Sequence, residues 1–339
     1  MREFTVILPT RNRAAVAAEL VRYLRSSLSW RCPIVLVDQS EDGGRQLAAL
    51  LPSEPPDHLL HVIQEGLGTC RARNEGARRA LTPWLLFLDD DVRPAAEYLP
   101  ELERFLDGHP WLDAVAGAIG YAQDWESYLR DPSAWWQARR QRPPSRGLPE
   151  AGNAAEWFLR SAYATHETLT LGLGSGNMVI TSKAFFACGG FDEQIDHIGD
   201  DREIGLRLWW YGYRVVHAPD VVVFHLQHAA GGSRETRRPV HNFLEPGWLY
   251  VCGKWFGPKI QRGLILSDLL RVARESLWRF PVRLYRACRS LAEARRRLAQ
   301  GPIYVGPHPP TPKAILDLPA GASPEQRSRC PDRLDEHHP

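Results

Sequence analysis

The run Trp84-Leu85-Leu86-Phe87-Leu88-Asp89-Asp90-Asp91-Val92 decides the fold. Its five apolar residues are too few for a helix and are flanked by Pro83 and Pro94, so the run is typical of a fully buried strand. Three carboxylates follow at the carboxyl end of that strand. Adjacent carboxylates repel one another unless a cation lies among them, and such oxygen ligands suit Mg2+ or Mn2+. The alternative is an acidic turn whose Asp residues cap the next segment.

Composition predicts a chain with a sizeable core. Its 339 residues are 44% hydrophobic and include 12 Trp, which fits one large domain or one domain with an appendage. No apolar run approaches the ~20 residues of a membrane-spanning helix, and the apolar start is too short for a secretory signal. Six scattered cysteines without a Cys-x-x-Cys pair indicate reduced thiols. We therefore expect a cytoplasmic protein.

The formal net charge of +2 conceals a basic segment. Between Lys254 and Arg297 there are 12 Lys and Arg residues against three acidic ones, so the rest of the chain is mildly acidic. This asymmetry suggests a partner surface of negative charge. Apolar residues recur at helical spacing between the arginines, which fits helices lying on an anionic membrane at its inner face, and equally a helical bundle packed on the main domain. No nucleic acid is expected, because no recognised binding motif accompanies the charge.

Strands and helices alternate through the first ninety residues. The hydrophobic pattern predicts strands over 4–8, 34–37, 59–63 and 84–88, with helices over 14–28, 45–51 and 69–81 between them. This alternation predicts a parallel sheet of right-handed βαβ units whose strands end at one edge. The polar segments after the strands, 10–13, 38–44, 66–68 and 89–91, should therefore meet there.

Beyond Asp91 the pattern is less regular. We predict a helix over 97–106, a strand over 114–119, and an irregular insertion or lid over 121–168. A glycine-dense run, 172–176, precedes a strand over 178–180 and a helix that begins at Ser182, whose hydroxyl is a candidate N-cap. Another helix follows Asp200, and two short strands cover 215–216 and 221–224. The chain is helical after Pro239, and residues 301–339 have the composition of a disordered tail.

Several stretches together resemble the inverting glycosyltransferase family 2, which has the GT-A fold. They are, in chain order, Val6-Ile7-Leu8-Pro9-Thr10-Arg11-Asn12-Arg13, Val37-Asp38-Gln39-Ser40, Gly68 with Arg71-Ala72-Arg73-Asn74-Glu75-Gly76, Leu88-Asp89-Asp90-Asp91, Gly189-Gly190-Phe191-Asp192-Glu193, Gly199-Asp200-Asp201-Arg202-Glu203-Ile204-Gly205-Leu206-Arg207, and His225. The chain departs from the family pattern at Gln39, where Asp or Gly is common, and at Asp200, where Glu usually precedes the catalytic Asp.

The resemblance implies an α/β fold of GT-A type: a mixed, mainly parallel sheet flanked by helices, with a Rossmann-like nucleotide-binding half and a C-terminal helical extension. It implies a glycosyltransferase domain over 1–235, in which 1–120 bind the nucleotide sugar and 121–235 the acceptor. Residues 236–300 are then a basic helical extension and 301–339 the tail.

The resemblance also implies a divalent cation, Mn2+ or Mg2+, that stabilises the charge of a nucleoside-diphosphate leaving group. Asp91 is the implied direct ligand, and Asp89 contacts the ribose or the metal through water. His225 is the candidate third ligand, with His228 in reserve. The alternative for either histidine is ordinary packing or a surface loop.

The donor, a nucleotide-diphosphate sugar, needs base, ribose and phosphate contacts at the sheet edge. Asp38 ends the second strand, where an acidic side chain reading a ribose has physical precedent, although a turn role is the alternative. Arg71 and Arg73 stand beside a glycine turn, where a solvated helix face is equally compatible. The full set of candidate donor residues is Pro9, Thr10, Arg11, Arg13, Asp38, Gly68, Arg71, Arg73, Asp89 and Asp90.

Inversion requires a base that takes the proton from the acceptor hydroxyl on the face opposite the nucleotide. The family match assigns this role to Asp201; its position at a helix start is equally compatible with an N-cap. Asp200 is a capping or acceptor-orienting neighbour. Asn177, beside the glycine-dense run, and Trp209 are weaker candidates for acceptor or loop contacts.

The function implied is transfer of a sugar to a hydroxyl of a glycan or lipid-linked acceptor, in the biosynthesis of a cell-surface glycan or polysaccharide. A sugar-nucleotide nucleotidyltransferase is one alternative, but it needs a glycine-rich loop where this chain has Pro9-Thr10-Arg11-Asn12-Arg13. A glycoside hydrolase with two carboxylates is a second alternative and would not need a metal. A non-catalytic glycan-binding scaffold is a third, and loss of the metal or base Asp would mark it.

Overall fold

The computed structural model describes residues 2–26, 31–53, 58–141, 167–170, 172–174, 176–195, 198–227, 245–275 and 280–300. The strands are β1 (Phe4–Thr10), β2 (Ile34–Asp38), β3 (Leu59–Ile63), β4 (Trp84–Leu88), β5 (Val92–Pro94), β6 (Ala114–Tyr121), β7 (Thr168–Leu169), β8 (Asn177–Thr181) and β9 (Val215–His225). The helices are α1 (Ala14–Ser26), α2 (Arg45–Leu50), α3 (Thr69–Arg79), α4 (Tyr98–Gly108), α5 (Ala122–Arg130), α6 (Pro132–Arg140), α7 (Ser182–Ala187), α8 (Asp200–Trp210), α9 (Pro246–Glu275) and α10 (Phe280–Ala299).

The first four strands form the parallel half of the sheet, in the order β3-β2-β1-β4. Each crosses to the next through a helix, as the alternating pattern predicts. Thr10 at the end of β1 is in register with Asp38 at the end of β2, and Asp89–Asp91 follow β4. The predicted convergence of polar strand ends at one edge is confirmed.

The second half makes the sheet mixed. Beyond β4 the order continues β8-β6-β9-β5, in which β8 is antiparallel to both neighbours and β6 and β9 are parallel. Strand β5 pairs antiparallel with the end of β9, so Val92 lies opposite His225. This pairing brings the late histidine next to the acidic run, although 134 positions separate Asp91 from His225 in the sequence.

Alternate residues of the central strands supply two apolar layers, one on each face of the sheet. Val6, Leu8 and Leu86 pack against α1 and α4 on one face. Ile7 and Phe87 pack on the other face, among side chains from α7, α8 and α9. The period of two along buried strands explains why the sheet is covered on both faces.

Three local predictions are wrong. Residues 122–140 are not irregular: they form α5 and α6, whose Trp135 and Trp136 are buried against Phe224. The hydroxyl that caps α7 belongs to Thr181, which accepts from the Ala184 N–H, rather than to Ser182. Residues 215–225 form one strand with a register shift against β6 rather than two strands. The rest of the proposed lid, 142–166, lies outside the described residues, as does the proposed tail.

The start of α9 belongs to the main core. Trp248, Tyr250 and Trp255 are buried in the same apolar layer as Phe87, so residues 246–256 pack with the sheet rather than in a separate extension. Gly257, with φ of 77°, breaks α9 ahead of Pro258. Among the described residues, no helix combines the length and the apolar character that crossing a membrane requires.

A buried cluster of charges fastens α9 to α8. The Lys254 ammonium donates to Asp192 Oδ2 at 2.8 Å and to Glu203 Oε1 at 2.7 Å, and all three side chains are at most 2% exposed. Arg207 pairs with the other oxygen of Glu203 at 2.6 Å, and the Tyr250 hydroxyl donates to Asp192 at 2.7 Å. Burial opposes ionisation of Asp192, but Lys254 and Tyr250 outweigh it and hold the pKa of that carboxyl below its usual value.

We expect Lys254→Met to lower the free energy of unfolding by about 3 kcal/mol at neutral pH, because it leaves Asp192 and Glu203 buried with less compensation. Urea denaturation measures this effect, and Lys259→Met, at an exposed lysine of the same helix, is the matched control. Since the pKa of Asp192 is lowered on folding, its contribution is present above the unfolded pKa of about 4 and is lost as the pH falls through the folded value. Equal stability of the two variants would contradict this account.

Candidate functional site

The three aspartates after β4 lie in different surroundings. The Asp89 side chain is 23% exposed, whereas those of Asp90 and Asp91 are 6% and 4% exposed. Asp89 is therefore the most accessible of the three carboxylates, although all three are bonded to arginines.

Asp89, Asp91 and His225 form a candidate cation site. Each offers one ligand atom, and the three atoms lie within 4.8 Å of one another. His225 Nε2 is 3.3 Å from Asp91 Oδ1, and His225 Nδ1 is buried without a hydrogen-bond partner among the described residues. The Leu226 N–H donates to the Asp91 carbonyl at 2.9 Å and fixes the two segments together. Two carboxylates and an imidazole that offer ligand atoms this close together fit a divalent metal ion.

Asp90 is buried and bonded to protein groups. It accepts from the Thr10 hydroxyl at 2.7 Å and from Arg13 Nη1 at 2.9 Å, and the same guanidinium nitrogen contacts Asp91 at 3.0 Å. Burial raises the pKa of Asp90 to about 6, against the opposing effect of Arg13. Thr10, Arg13 and Asp90 therefore bond to one another and hold the turn that carries Asp91, and their contact with a donor stays a prediction.

Arg73 joins two carboxylates that are distant in the sequence. Its guanidinium is fully buried, donates to Asp89 Oδ1 at 2.8 Å and forms a short ion pair with Asp200. The Phe191 ring lies 5.4 Å from the guanidinium carbon. The Arg73 guanidinium is thus bonded to two carboxylates, and Gly199 rather than Asp200 is the N-cap of α8. A donor contact of Arg73 and an acceptor-orienting role of Asp200 stay predictions. Both residues connect the metal-binding turn to the start of α8.

Asp200 keeps its buried position at an electrostatic cost. Burial raises the pKa of Asp200 to about 6, Arg73 opposes that rise, and Asp201 adds to it. The buried arginine therefore compensates a carboxyl that is otherwise poorly solvated.

Asp201 is partly exposed at the second position of α8. Gly199, not either aspartate, is the N-cap residue. Asp201 Oδ1 accepts from the Arg202 N–H at 2.9 Å, and its carbonyl accepts from the Leu173 N–H at 3.4 Å. The adjacent Asp200 is bridged through Arg73 to Asp89, which connects the start of α8 to the candidate metal site.

The glycine-dense run lies against this rim. A Cβ atom on Gly176 would stand 2.8 Å from Asp89 Oδ2, and the residue has φ of 88°. The backbone at Gly176 therefore approaches the Asp89 carboxylate of the candidate metal site, which leaves no room for a side chain there.

The nucleotide-side candidates line the neighbouring strand ends. Asp38 is buried and accepts from Ser40 and pairs with His61 at 3.3 Å, so its carboxylate holds the turn. Arg11 is partly buried and pairs with Glu41 at 3.1 Å, whereas Arg71 is exposed. Pro9 lies within β1, and Gly68 precedes α3 with φ of 134° and accepts from the Gln39 side chain at 3.1 Å.

Two of the weaker candidates, Asn177 and Trp209, are buried. Asn177 is fully buried, accepts from the Tyr98 hydroxyl at 2.6 Å and donates to the Ala118 and Val221 carbonyls, so its polar atoms are used inside the sheet. Trp209 is 5% exposed and donates to the Thr170 carbonyl at 2.7 Å. His228 lies outside the described residues.

Sequence reasoning missed Lys254 and Glu203, which hold α8 and α9 together behind Asp201. The sequence carries only a weak signal of this charge cluster. Glu203 and Arg207 stand four apart on one helix, which indicates an ion pair but not its burial.

Comparison with known proteins agrees with this architecture. The model of glycosyl transferase family 2 matches residues 5–166. The pre-mycofactocin glycosyltransferase of Mycobacterium tuberculosis is 27% identical over 225 residues, which cover 66% of this chain and 43% of that protein. The validoxylamine A glucosyltransferase of Streptomyces hygroscopicus is 28% identical over 225 residues, 61% of this chain and 51% of that protein. The chain spans between 36% and 51% of the length of the curated relatives it matches.

The fold also resembles that of solved structures. A crystal structure of GalNAc-T7 with UDP, GalNAc and Mn2+ aligns with a TM-score of 0.50 and 15% sequence identity, over 76% of this chain and 49% of that one. The mixed sheet flanked by helices is therefore of GT-A type, as the sequence predicts.

Proposed function

We propose, from the premise that residues 5–166 belong to glycosyl transferase family 2, that this protein is a metal-dependent inverting glycosyltransferase using a nucleotide-diphosphate sugar. One observation carries the proposal: Arg73 joins Asp89 of the candidate metal site to the helix start that bears Asp201. A cation site and a base at one rim are what transfer with inversion requires. We place the reaction in the biosynthesis of a cell-surface glycan, in the cytoplasm.

The proposed ligands are Asp89, Asp91 and His225. A divalent cation held there would supply Lewis-acid stabilisation to the diphosphate of a leaving nucleotide. The imidazole in the set favours Mn2+ over Mg2+, which prefers oxygen ligands alone. The chain's own contribution is the rigid turn, since Arg13 and Thr10 fix Asp90 and Asp91 from behind.

The proposed base is Asp201, which accepts the proton of the attacking acceptor hydroxyl. Its exposure at the start of α8 supports this role, because a base must be reachable by substrate. The acceptor we propose is a hydroxyl of a glycan or lipid-linked saccharide.

The proposed nucleotide pocket lies at the ends of β1 and β2. Arg71 is exposed beside the turn at Gly66, and Arg11 remains partly exposed, so both are available to phosphate or ribose groups. Asp38 holds its turn through Ser40 and His61. We propose that its carboxylate also accepts a hydrogen bond from the base or ribose of the donor. Pro9 and Gly68 shape the backbone at this edge.

A donor panel tests the function. UDP-, dTDP- and GDP-sugars are incubated with the protein in Mn2+, in Mg2+ and in EDTA, and nucleoside-diphosphate release is measured. We expect release with at least one donor, and only with metal. Release of pyrophosphate instead would indicate a nucleotidyltransferase, and metal-independent sugar release from a glycoside would indicate a hydrolase.

We further propose peripheral attachment to an anionic membrane through α9. Leu266 and Leu270 are 58% and 51% exposed at helical spacing, and exposed Lys259, Arg262 and Arg274 flank them on the same helix. An apolar stripe flanked by cations fits the boundary between acyl chains and anionic headgroups.

We expect Leu266→Asp/Leu270→Asp to reduce sedimentation with phosphatidylglycerol vesicles by about tenfold, because the variant loses two apolar side chains and gains two like charges at the surface. Leu129→Asp, at a leucine that is 60% exposed on α5, is the matched control and should sediment like the wild type. If the double variant sediments like the wild type, the proposed membrane attachment through α9 is wrong.

A further inference from the structure

We propose that a cavity behind the base-bearing helix binds a phosphate group of the acceptor. The cavity has a volume of about 620 Å³ and is lined by the first residues of α9, by one face of α10, and by Ile198. It is separate from the metal-binding turn, since none of Asp89, Asp91 and His225 lines it. The proposal deepens the proposed glycosyl transfer by naming a class of acceptor, and it rests on that function.

Arginines of α10 supply positive charge and N–H donors to the cavity. Arg289, Arg296 and Arg297 line it, together with two acidic side chains, Glu245 and Glu293. Arg296 and Arg297 both donate to Glu293 at 2.9 Å. Arg289 is exposed and makes no ion pair or hydrogen bond within the described part of the chain. The Arg289 guanidinium lies in this cavity beside those of Arg296 and Arg297. Its planar fork of N–H donors can bind two oxygens of a phosphate group.

The start of α9 adds to the positive electrostatic potential of the cavity. Pro246 and Gly247 lie on the cavity wall, and the helix segment that begins there runs eleven residues before the break at Gly257. Pro246 has no N–H to donate, so this helix end contributes the positive end of its macrodipole, which favours an anion. Gly247 brings this end close to the wall, because a Cβ atom there would stand 2.9 Å from the Ile198 carbonyl oxygen.

The position of the cavity links it to the acceptor rather than to the donor. Ile198 is three residues before Asp201, and Gly199 packs against Trp248 and Val251 at the start of α9. Arg297 also donates to the Gln194 carbonyl at 2.6 Å, which holds α10 against the loop that leads to this segment. An acceptor whose hydroxyl reaches Asp201 can therefore place an attached phosphate among these arginines. A sugar phosphate and a lipid-linked diphosphate share this chemistry.

The test is binding of inorganic pyrophosphate to the full chain in EDTA, which keeps the metal site out of the measurement. We expect Arg289→Gln to weaken binding by about tenfold, Arg289→Lys to weaken it less, and Arg104→Gln, at an exposed arginine of α4, to bind like the wild type. Displacement by a hexose 1-phosphate would assign a soluble acceptor, and displacement by farnesyl diphosphate a lipid-linked one.

Two results would overturn the proposal: no pyrophosphate binding by the wild-type protein, or equal binding by Arg289→Gln and Arg104→Gln. Binding of UDP with Mn2+ to the wild-type protein is measured in parallel. It reports on the donor site, so its failure would count against the proposed function and not against the arginine cavity.

Discussion

Replacing Asp91 with Asn should lower metal-dependent sugar transfer by about 10³-fold, because the cation then loses its best-held carboxylate and the leaving diphosphate loses its charge stabilisation. The fold should survive, since Asp90 keeps its bonds to Thr10 and Arg13. Mn2+ affinity, measured by electron paramagnetic resonance, should fall with activity.

Asp107→Asn, at a carboxylate that is 72% exposed and pairs with Arg2, is the matched control for charge. It should leave Mn2+ affinity and transfer as in the wild type. Full activity of Asp91→Asn, or loss of activity with Mn2+ affinity retained, would contradict the assignment of Asp91 as a ligand.

Replacing Asp201 with Asn should lower transfer by about 10³-fold while Mn2+ and UDP bind as in the wild type, because only the acceptance of the hydroxyl proton is lost. A merely structural aspartate at a helix start would behave differently. Its loss would cost about 0.5 kcal/mol of stability and would leave the rate of transfer nearly unchanged.

The neighbouring residue supplies the control. Asp200→Asn breaks a buried ion pair with Arg73, so it should lower the free energy of unfolding by about 3 kcal/mol, whereas Asp201→Asn should not. Urea denaturation of both variants, read beside transfer and UDP binding, separates the two roles. Weakened UDP binding with retained transfer in Asp201→Asn would contradict the role of base.

The parallel half of the sheet could be predicted because each of its strands is a short apolar run with a polar segment after it. Buried strands and amphipathic helices leave different periods in the sequence, and βαβ units have one handedness. The meeting of Thr10, Asp38 and Asp91 at one edge follows from that topology alone. The helix α6 also had a signal, since Asp131 before Pro132 is a typical helix start.

The internal bonds of the site could not be predicted. Arg73 stands on a helix rich in charge, and nothing local distinguishes it from the exposed Arg71; its burial depends on carboxylates 16 and 127 positions away. The same holds for Asn177, whose partners come from three other parts of the chain. A sequence motif therefore indicates which residues lie near the site. Only the three-dimensional structure shows which of their side chains are exposed and which are bonded to other residues of the site.

The central claim is that one rim holds a cation and a base together. Crystals grown with Mn2+ and UDP, and measured at a wavelength where manganese scatters anomalously, test it most directly. The account predicts one strong anomalous peak among Asp89, Asp91 and His225, with the Asp201 carboxylate facing the same crevice. A peak held by other residues, or an Asp201 carboxylate turned away from the bound nucleotide, would contradict it.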